Sequence, residues 1–156
     1  MDKNATYQLL VKQVESLIEG ENNIMGQLAN AAALLQETMQ WWWTGFYLIK
    51  DGELQLGPFQ GPIACYRIKK GRGVCGTAWQ EDRTIVVPDV EEFPGHIACS
   101  SLSRSEIVVP LHDSEGNVVG VLDIDSKDLA TFDDVDAHWL EEIARVIERC
   151  VQLQSL

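Results

Sequence analysis

The sequence predicts an α+β domain in which helices at both ends flank about six mostly antiparallel strands. Apolar residues recur at spacings of three and four over residues 1–40 and again over 131–152. Between these segments, short runs of branched and aromatic residues alternate with turn residues, a pattern typical of strands. With 156 residues the chain has the length of one domain. We therefore expect a single domain, 1–156, in which the helical segment 1–40 packs against the C-terminal helix 131–152.

Two amphipathic helices are predicted before the first strand. Apolar residues from Tyr7 to Ile18 repeat at the helical period, and Gly20 marks the end of this helix. The same period continues from Ile24 to Leu35, with Asn22 or Asn23 as the N-cap.

Six strands are predicted in the middle of the chain. They cover residues 41–49, the segment around Leu54 and Leu56, 63–68, 84–87, 106–112 and 117–125. Asp51-Gly52 turns the first hairpin, and Pro58 and Pro62 bracket a bend after the second strand. Residues 90–104 show no clear period, and a loop of this length inside one domain is often functional.

A glycine-rich turn, Gly71-x-Gly73-x-x-Gly76, opens a short helix after the third strand. It matches the dinucleotide fingerprint, but the helix has room for only about two turns before Asp82, and a crossover helix is longer. We expect either a plain tight turn or backbone N–H groups that hold a small anion such as a carboxylate. Cys75 at the helix start is either a reactive thiol or a small packing residue.

The last predicted helix has the clearest pattern, with apolar residues from Phe132 to Cys150 at spacings of three and four. Thr131 with Asp134 resembles a capping box at its start. Cys150 lies on the apolar stripe and is interpreted as a small core residue.

Charge and composition exclude several functions. Lys and Arg number 12 against 24 Asp and Glu, a net charge of −12, which argues against nucleic acids and anionic membranes as partners. The start of the chain carries no apolar run, so we expect no signal peptide and a cytoplasmic location. No apolar stretch approaches the roughly 20 residues of a membrane helix. In a reducing compartment the cysteines are core residues, metal ligands or working thiols.

Three cysteines lie outside the helical stripe, namely Cys65, Cys75 and Cys99. Cys99 lies in the irregular loop three residues after His96, which either assists the thiol or, as is commoner for a histidine, only caps or packs. These three cysteines with His96 also have the residue types of a zinc site, although the chain has no C-x-x-C pair.

Two carboxylates interrupt an apolar strand at Asp123 and Asp125. Residues two apart share one face of a strand, so the two acids repel each other unless a cation or a proton satisfies them. Glu106 opens the neighbouring strand and would complete a three-acid cluster. The alternative is a strand end that emerges into solvent.

Three consecutive tryptophans open the first strand, and strand alternation predicts that Trp42 points away from Trp41 and Trp43. At least one of them is expected to wall a pocket. Thiols, clustered acids and a possible anion site together favour thiol redox chemistry on a small zwitterion.

Five segments together resemble the free methionine-(R)-sulfoxide reductases. They are Trp43 to Leu48, Gly73-Val74-Cys75-Gly76, Gly95-His96-Ile97-Ala98-Cys99, Ser105 to Pro110 and Gly120 to Ser126. The resemblance implies a single GAF domain: a six-stranded antiparallel sheet with the terminal helices on one face and the ligand pocket on the other. It also implies a homodimer formed through those helices.

The resemblance also implies roles for the thiols. Cys99 resembles the nucleophile that attacks the sulfoxide sulfur, Cys65 the main resolving cysteine, and Cys75 a second thiol that assists. The implied reductant is thioredoxin, and no metal or organic cofactor is implied. Ser100 stands where the family often has Asp, which alters the charge beside Cys99.

Substrate contacts are implied for Glu106, Asp123 and Asp125, with Glu106 or Asp125 supplying the proton to the sulfoxide oxygen. Trp43 resembles a pocket wall that packs on the substrate methyl group, and Trp42 replaces a residue that is often polar. The main alternative is a GAF sensor that binds a small molecule without catalysis, for which three thiols are not required.

Overall fold

A computed structural model describes residues 2–96 and 102–156. Its centre is a six-stranded sheet in the order β3-β2-β1-β6-β5-β4, with every neighbouring pair antiparallel. The strands are β1 (Trp43–Lys50), β2 (Glu53–Gln60), β3 (Arg67–Ile68), β4 (Ile85–Val87), β5 (Ser105–His112) and β6 (Val118–Ser126). The α-helices are α1 (Lys3–Ile18), α2 (Ile24–Met39), α3 (Gly73–Glu81) and α4 (Asp134–Cys150). The predicted α+β class and six-stranded antiparallel sheet are confirmed.

The sheet separates two apolar cores. On one face α1, α2 and α4 pack against the inward residues of β1, β5 and β6; the fully buried members include Tyr7, Leu10, Leu28, Leu35, Phe46, Leu122 and Ile143. On the other face α3 and the 3-10 turn Val90–Glu92 cover a smaller core. Alternation along β1 assigns its residues to the two faces, with Phe46 towards the terminal helices and Tyr47 towards α3. Within the described ranges no helix is long and apolar enough to cross a bilayer.

Helices α1 and α4 are joined by a buried polar contact. The Tyr7 hydroxyl donates to Oδ1 of Asp136 at 2.6 Å, and the Lys3 ammonium lies 2.6 Å from Oδ2 of the same carboxylate. The Asp136 side chain is almost fully buried, so these two donors compensate a charge that burial would otherwise destabilise.

The start of α4 differs from the predicted capping box. Asp133, not Thr131, is the N-cap, and its carboxylate accepts from the Asp136 backbone N–H while Asp136 accepts from the Asp133 N–H. The prediction of Thr131 with Asp134 was wrong because the Thr131 hydroxyl donates to Ser126 Oγ at 2.6 Å instead. A capping box needs an N-cap residue followed three positions later by an acid, and Asp133 with Asp136 has this spacing. It lies two positions after the predicted Thr131.

Strand β2 continues through Pro58, where the sequence predicted a bend. The register against β1 slips here, because Tyr47 pairs with Leu56 while Gly45 pairs with Phe59. One extra residue in β2 forms a bulge, and a bulge tolerates a proline that cannot donate to the ladder. The strand therefore ends at Gln60, and the bend follows it.

The third strand is shorter than predicted, covering Arg67–Ile68 and not 63–68. The backbone before it makes one hydrogen bond to β2, from the Leu56 N–H to the Tyr66 carbonyl, and two further bonds come from side chains of β1. Trp43 Nε1 donates to the Pro62 carbonyl at 3.0 Å, and the Tyr47 hydroxyl donates to the Cys65 carbonyl at 2.8 Å. Cys65 therefore lies in an irregular segment that is anchored to the sheet.

Candidate active site

An open cavity lies on the α3 face of the sheet, with a volume of about 570 Å³ that includes the space open to solvent at its mouth. Its walls come from the start of β1, the facing ends of β5 and β6, and the first turn of α3. The predicted arrangement, with terminal helices on one face and a pocket on the other, is confirmed by the two cores and this cavity.

Three carboxyl groups form the floor of the cavity. Glu106 of β5 pairs directly with Asp125 of β6, and Asp123 lies two residues earlier on the same face. Glu106 and Asp123 are only 6% and 5% exposed. The predicted three-acid cluster therefore forms, and its buried position rules out the alternative of a strand end that emerges into solvent.

Burial keeps protons on this cluster. It raises the pKa of Glu106 well above the usual range, and the charges of Asp123 and Asp125 raise that pKa further. Burial, followed by the Asp123 charge, also raises the pKa of Asp125 well above its usual range. Burial raises the pKa of Asp123 as well, but hydrogen bonds from Glu106 and Cys75 oppose this. The Asp123 charge raises the pKa of both neighbours, so Asp123 loses its proton before Glu106 and Asp125 do.

One carboxylate oxygen in the cluster is left without a partner. Oδ1 of Asp123 is buried and accepts no hydrogen bond from the residues that the structure describes. A buried anionic oxygen in this state is destabilised, and a cationic donor entering the cavity would satisfy it. This geometry fits an ammonium group.

The first turn of α3 faces the acids across the cavity. Arg72 is the N-cap and gives no side-chain hydrogen bond to the helix, and Gly73 and Val74 follow it in the wall. The N–H groups at a helix start have no intrahelical acceptor, so they favour an anion. Gly76 is required by close packing, because a Cβ there would lie 2.4 Å from the Lys69 carbonyl oxygen.

The short helix confirms that the glycine fingerprint does not bind a dinucleotide in the usual way. α3 has 9 residues, and the strand after it, β4, joins the sheet antiparallel to β5. A dinucleotide fold requires a longer helix that returns to a parallel strand.

Cys75 is buried among the acids and is not an activated thiol. Burial raises its pKa well above the usual range, and the charges of Asp123 and Glu106 raise it further. Of the two interpretations of Cys75, the raised pKa favours the small packing residue over the reactive thiol, since burial and two nearby carboxyl groups outweigh the helix dipole. Cys75 still lines the cavity, where its thiol hydrogen-bonds to Asp123.

Aromatic rings form the remaining wall. Trp43 is 4% exposed and stacks on Phe59 and Tyr47, with ring centroids 5.1 and 6.0 Å apart. Gly45 makes room for this stack, because a Cβ there would lie 2.7 Å from the Trp43 ring. Tyr47 was missed by sequence reasoning, although its position four residues after Trp43 on the same strand face was a usable signal.

The orientation predicted for the three tryptophans was wrong. Trp41 packs in the helical core, whereas Trp42 and Trp43 both line the cavity. Strand alternation did not apply to the first two because β1 begins only at Trp43. Trp42 is held from outside by Lys127, whose Nζ lies 4.0 Å from the ring centroid.

The described cysteines are in different states. Cys65 is half-buried and takes part in a disulfide, whereas Cys75 and Cys150 are free thiols. Cys150 packs half-buried against the helical core, where burial raises its pKa, in agreement with a packing residue. Cys99 and Ser100 lie outside the described residues. His96 lines the cavity, and burial lowers its pKa.

Among the described residues, the side chains close enough to share a metal ion differ from the zinc ligands considered in the sequence analysis. Cys65 is oxidised in a disulfide and offers no thiolate to a metal. Cys75 instead groups with Glu106 and Asp123, and their potential ligand atoms all lie within 4.8 Å of one another. The structure therefore does not bring Cys65 and Cys75 together as ligands.

Comparisons with known proteins agree with this architecture. A model of the GAF domain family matches residues 24–152. GAF domain-containing protein A of Dictyostelium discoideum is 56% identical, over 94% of this chain and 92% of its own length. Free methionine-R-sulfoxide reductase of Escherichia coli is 45% identical, over 96% of this chain and 90% of its own length. The structure of free methionine-R-sulfoxide reductase from Neisseria meningitidis, solved with its substrate, is 51% identical with a TM-score of 0.95, covering 100% of this chain and 95% of that chain.

Proposed function

This chain belongs to the GAF domain family and, within it, to the free methionine-R-sulfoxide reductases, and from this premise we propose a thioredoxin-driven catalytic cycle. The chain is an oxidoreductase that reduces free L-methionine-(R)-sulfoxide to methionine. The observation that carries the proposal is the buried cluster of Glu106, Asp123 and Asp125 facing the start of α3 across one small cavity. Such a cavity has a cationic side, an anionic side and an apolar wall, as a zwitterionic amino acid requires.

Charge complementarity supports one orientation of the substrate. The unpartnered Oδ1 of Asp123 supports binding of the substrate ammonium. The uncapped start of α3 and the exposed Arg72 at the cavity rim support binding of the carboxylate. Trp43 offers an apolar surface for the methyl group at the sulfur. Recognition of both charged groups excludes methionine sulfoxide within a peptide, where neither group is present.

The first chemical step transfers oxygen from substrate to enzyme. The Cys99 thiolate attacks the sulfoxide sulfur, and a protonated carboxyl of the cluster, Glu106 or Asp125, gives its proton to the oxygen. The sulfur–oxygen bond then breaks, methionine leaves, and Cys99 becomes a sulfenic acid. The raised pKa of both acids supports this role, because a carboxyl that holds its proton at neutral pH can act as a general acid.

The second step returns the enzyme to its reduced form. The Cys65 thiol attacks the Cys99 sulfenic acid, water leaves, and a disulfide forms. The disulfide at Cys65 supports this role. Thioredoxin then reduces the disulfide by thiol–disulfide exchange. The enzyme gains two electrons, and thioredoxin becomes a disulfide. Cys75, with its raised pKa, stays protonated at neutral pH and serves as a secondary thiol.

The test is NADPH oxidation with thioredoxin, thioredoxin reductase and free methionine-(R)-sulfoxide. We expect steady turnover for the parent and none for Cys99→Ser. For Cys65→Ser we expect one methionine per chain at the parental rate, followed by much slower turnover through the protonated Cys75. Cys150→Ser is the matched control and retains parental turnover, since Cys150 lies on the opposite face of the sheet from the cavity. A parent that binds the sulfoxide but gives no methionine would support a non-catalytic sensor instead.

The cycle needs no metal or organic cofactor, and we propose that it runs in the cytoplasm in a homodimer. Metal analysis of the reduced protein checks the first point; stoichiometric zinc bound at Cys75, Glu106 and Asp123 would contradict it. Light scattering of the purified chain checks the second, with twice the monomer mass of 17.4 kDa expected.

A further inference from the structure

Two apolar side chains next to Cys65 are unusually exposed. Ile63 is 89% and Tyr66 is 79% exposed, the highest values among the large hydrophobic residues that the structure describes. They flank Cys65, two residues before it and one residue after it. Exposed apolar groups that lie together are typical of a surface that binds a partner.

The backbone that carries these side chains is held from inside. Trp43 Nε1 donates to the Pro62 carbonyl, the Tyr47 hydroxyl donates to the Cys65 carbonyl, and the Leu56 N–H donates to the Tyr66 carbonyl at 2.9 Å. The inward hydrogen bonds leave the side chains of Ile63 and Tyr66 directed to solvent on an ordered backbone. An ordered surface loses less entropy when a partner binds, which favours association.

The same stretch carries a charge opposite to that of the chain. Residues 54–80 contain no Asp or Glu and hold four of the chain's 12 cations, all exposed: Arg67, Lys69, Lys70 and Arg72. Arg67 pairs with Glu53 at 2.6 Å, and Lys70 lies over the Trp79 ring. Lys69 is exposed three residues after Tyr66 in the chain and forms no ion pair with any residue in the described ranges, so its charge is open to a partner. A protein of net charge −12 thus presents one basic patch.

We propose that residues 61–70 form the docking surface for the dithiol protein that reduces this enzyme, a partner with an acidic rim around its thiols. The proposal rests on the proposed function. Ile63 and Tyr66 are the apolar anchors, and Lys69 pairs with an acidic group of the partner.

Docking here selects Cys65 as the sulfur that is attacked. The partner's first thiolate forms a bond to the Cys65 sulfur, and the other half of the disulfide, Cys99 in the proposed cycle, leaves as a thiolate. The partner's second thiolate then attacks the sulfur of the partner's first cysteine in the mixed disulfide, which releases the Cys65 thiolate. The partner ends as a disulfide, the enzyme gains two electrons, and the two thiolates take protons from solvent.

The experiment compares a protein reductant with a small one. Ile63→Ser, Tyr66→Ser and Lys69→Glu are assayed with thioredoxin, thioredoxin reductase and NADPH, and separately with dithiothreitol. We expect each serine variant to raise the KM for thioredoxin by about tenfold, the effect of removing one apolar anchor, with unchanged rates in dithiothreitol. Lys69→Glu raises the same KM and removes the decrease of kcat/KM that added salt causes in the parent.

The control variants replace exposed residues that lie outside residues 61–70. Leu156→Ser removes a side chain that is 52% exposed at the far end of the chain, and Lys12→Glu reverses an exposed charge on α1; neither is expected to alter the KM for thioredoxin. An unchanged KM in the Ile63 and Tyr66 variants would overturn the docking surface. Equal losses with both reductants would also overturn it, because the substitutions would then act on the disulfide itself. A parent inactive with dithiothreitol would overturn the proposed function and the docking surface together.

Discussion

Asp123 is the buried anion of the acid cluster, and we predict that Asp123→Asn makes the protein more stable at pH 8 while it removes activity. The potential ligand atoms of Asp123 and Glu106 lie within 4.8 Å of each other. At that separation two unit charges repel by about 3.5 kcal/mol at an effective dielectric constant of ~20. The folded protein avoids most of this repulsion by retaining protons, which leaves an expected gain of about 1–3 kcal/mol in the variant.

The gain depends on pH with a definite sign. Near pH 3 the carboxyl groups are largely protonated in the folded and the unfolded chain, so the cluster alters stability little. As pH rises, the unfolded chain ionises while burial keeps the pKa of Glu106, Asp123 and Asp125 raised in the folded protein. The parent therefore loses stability with rising pH until it passes the raised pKa values, and the variant loses less.

Urea unfolding at pH 3 and pH 8, on protein reduced beforehand with dithiothreitol, measures the effect. A gain of about 2 kcal/mol in a chain of 156 residues corresponds to a Tm higher by about 6 °C. Asp128→Asn is the control, because this exposed aspartate lies outside the cluster and its replacement is expected to leave stability unchanged. A variant that is no more stable than the parent at pH 8, or equally stabilised at both pH values, would refute the electrostatic reasoning.

Three further predictions concern other parts of the molecule. Tyr7→Phe removes a 2.6 Å hydrogen bond to the buried Asp136 and is expected to lower the free energy of unfolding by about 1–3 kcal/mol; a loss below about 0.5 kcal/mol in urea would contradict it. Burial lowers the pKa of His112, but its carboxylate partners outweigh burial and raise the pKa overall. The free energy of unfolding of the parent should therefore fall by about 0.5–1 kcal/mol as pH rises from 6 to 9. His112→Gln should show no such fall, and an identical slope in both proteins would exclude this cause. In native protein at pH 8, a maleimide should label Cys75 more slowly than Cys150, as peptide mapping would show, because Cys75 is buried among carboxyl groups; faster labelling of Cys75 would mean an activated thiol.

Much of the acid cluster could be predicted from sequence because its signal is local. Asp123 and Asp125 share a strand face by their spacing alone. Because the two strands of a hairpin run antiparallel, Glu106 at the start of β5 must lie near Asp125 at the end of β6. The positions of α1 and α2 could also be predicted from periodicity; of the two residues predicted as the N-cap of α2, Asn22 and Asn23, the structure has Asn23.

Other features depend on contacts between distant parts of the chain. The raised pKa of Cys75 follows from β5 and β6 packing against α3, which no local pattern encodes. The irregular backbone around Cys65 is stabilised mainly by the side chains of Trp43 and Tyr47, with a single ladder bond from β2 at Tyr66. Propensity alone therefore overstated the third strand, since strand formers adopt that conformation only where a ladder accepts them.

Tyr47 connects the wall of the cavity to the disulfide-bearing segment around Cys65. Its ring stacks on Trp43 in the cavity wall, and its hydroxyl holds the Cys65 carbonyl. A substitution of Tyr47 that reshapes the wall therefore also removes a hydrogen bond from the disulfide-bearing segment around Cys65. Evolution cannot adjust the two properties independently at this position, and a change of specificity that keeps turnover must either retain the tyrosine or provide Cys65 with a new hydrogen-bond donor.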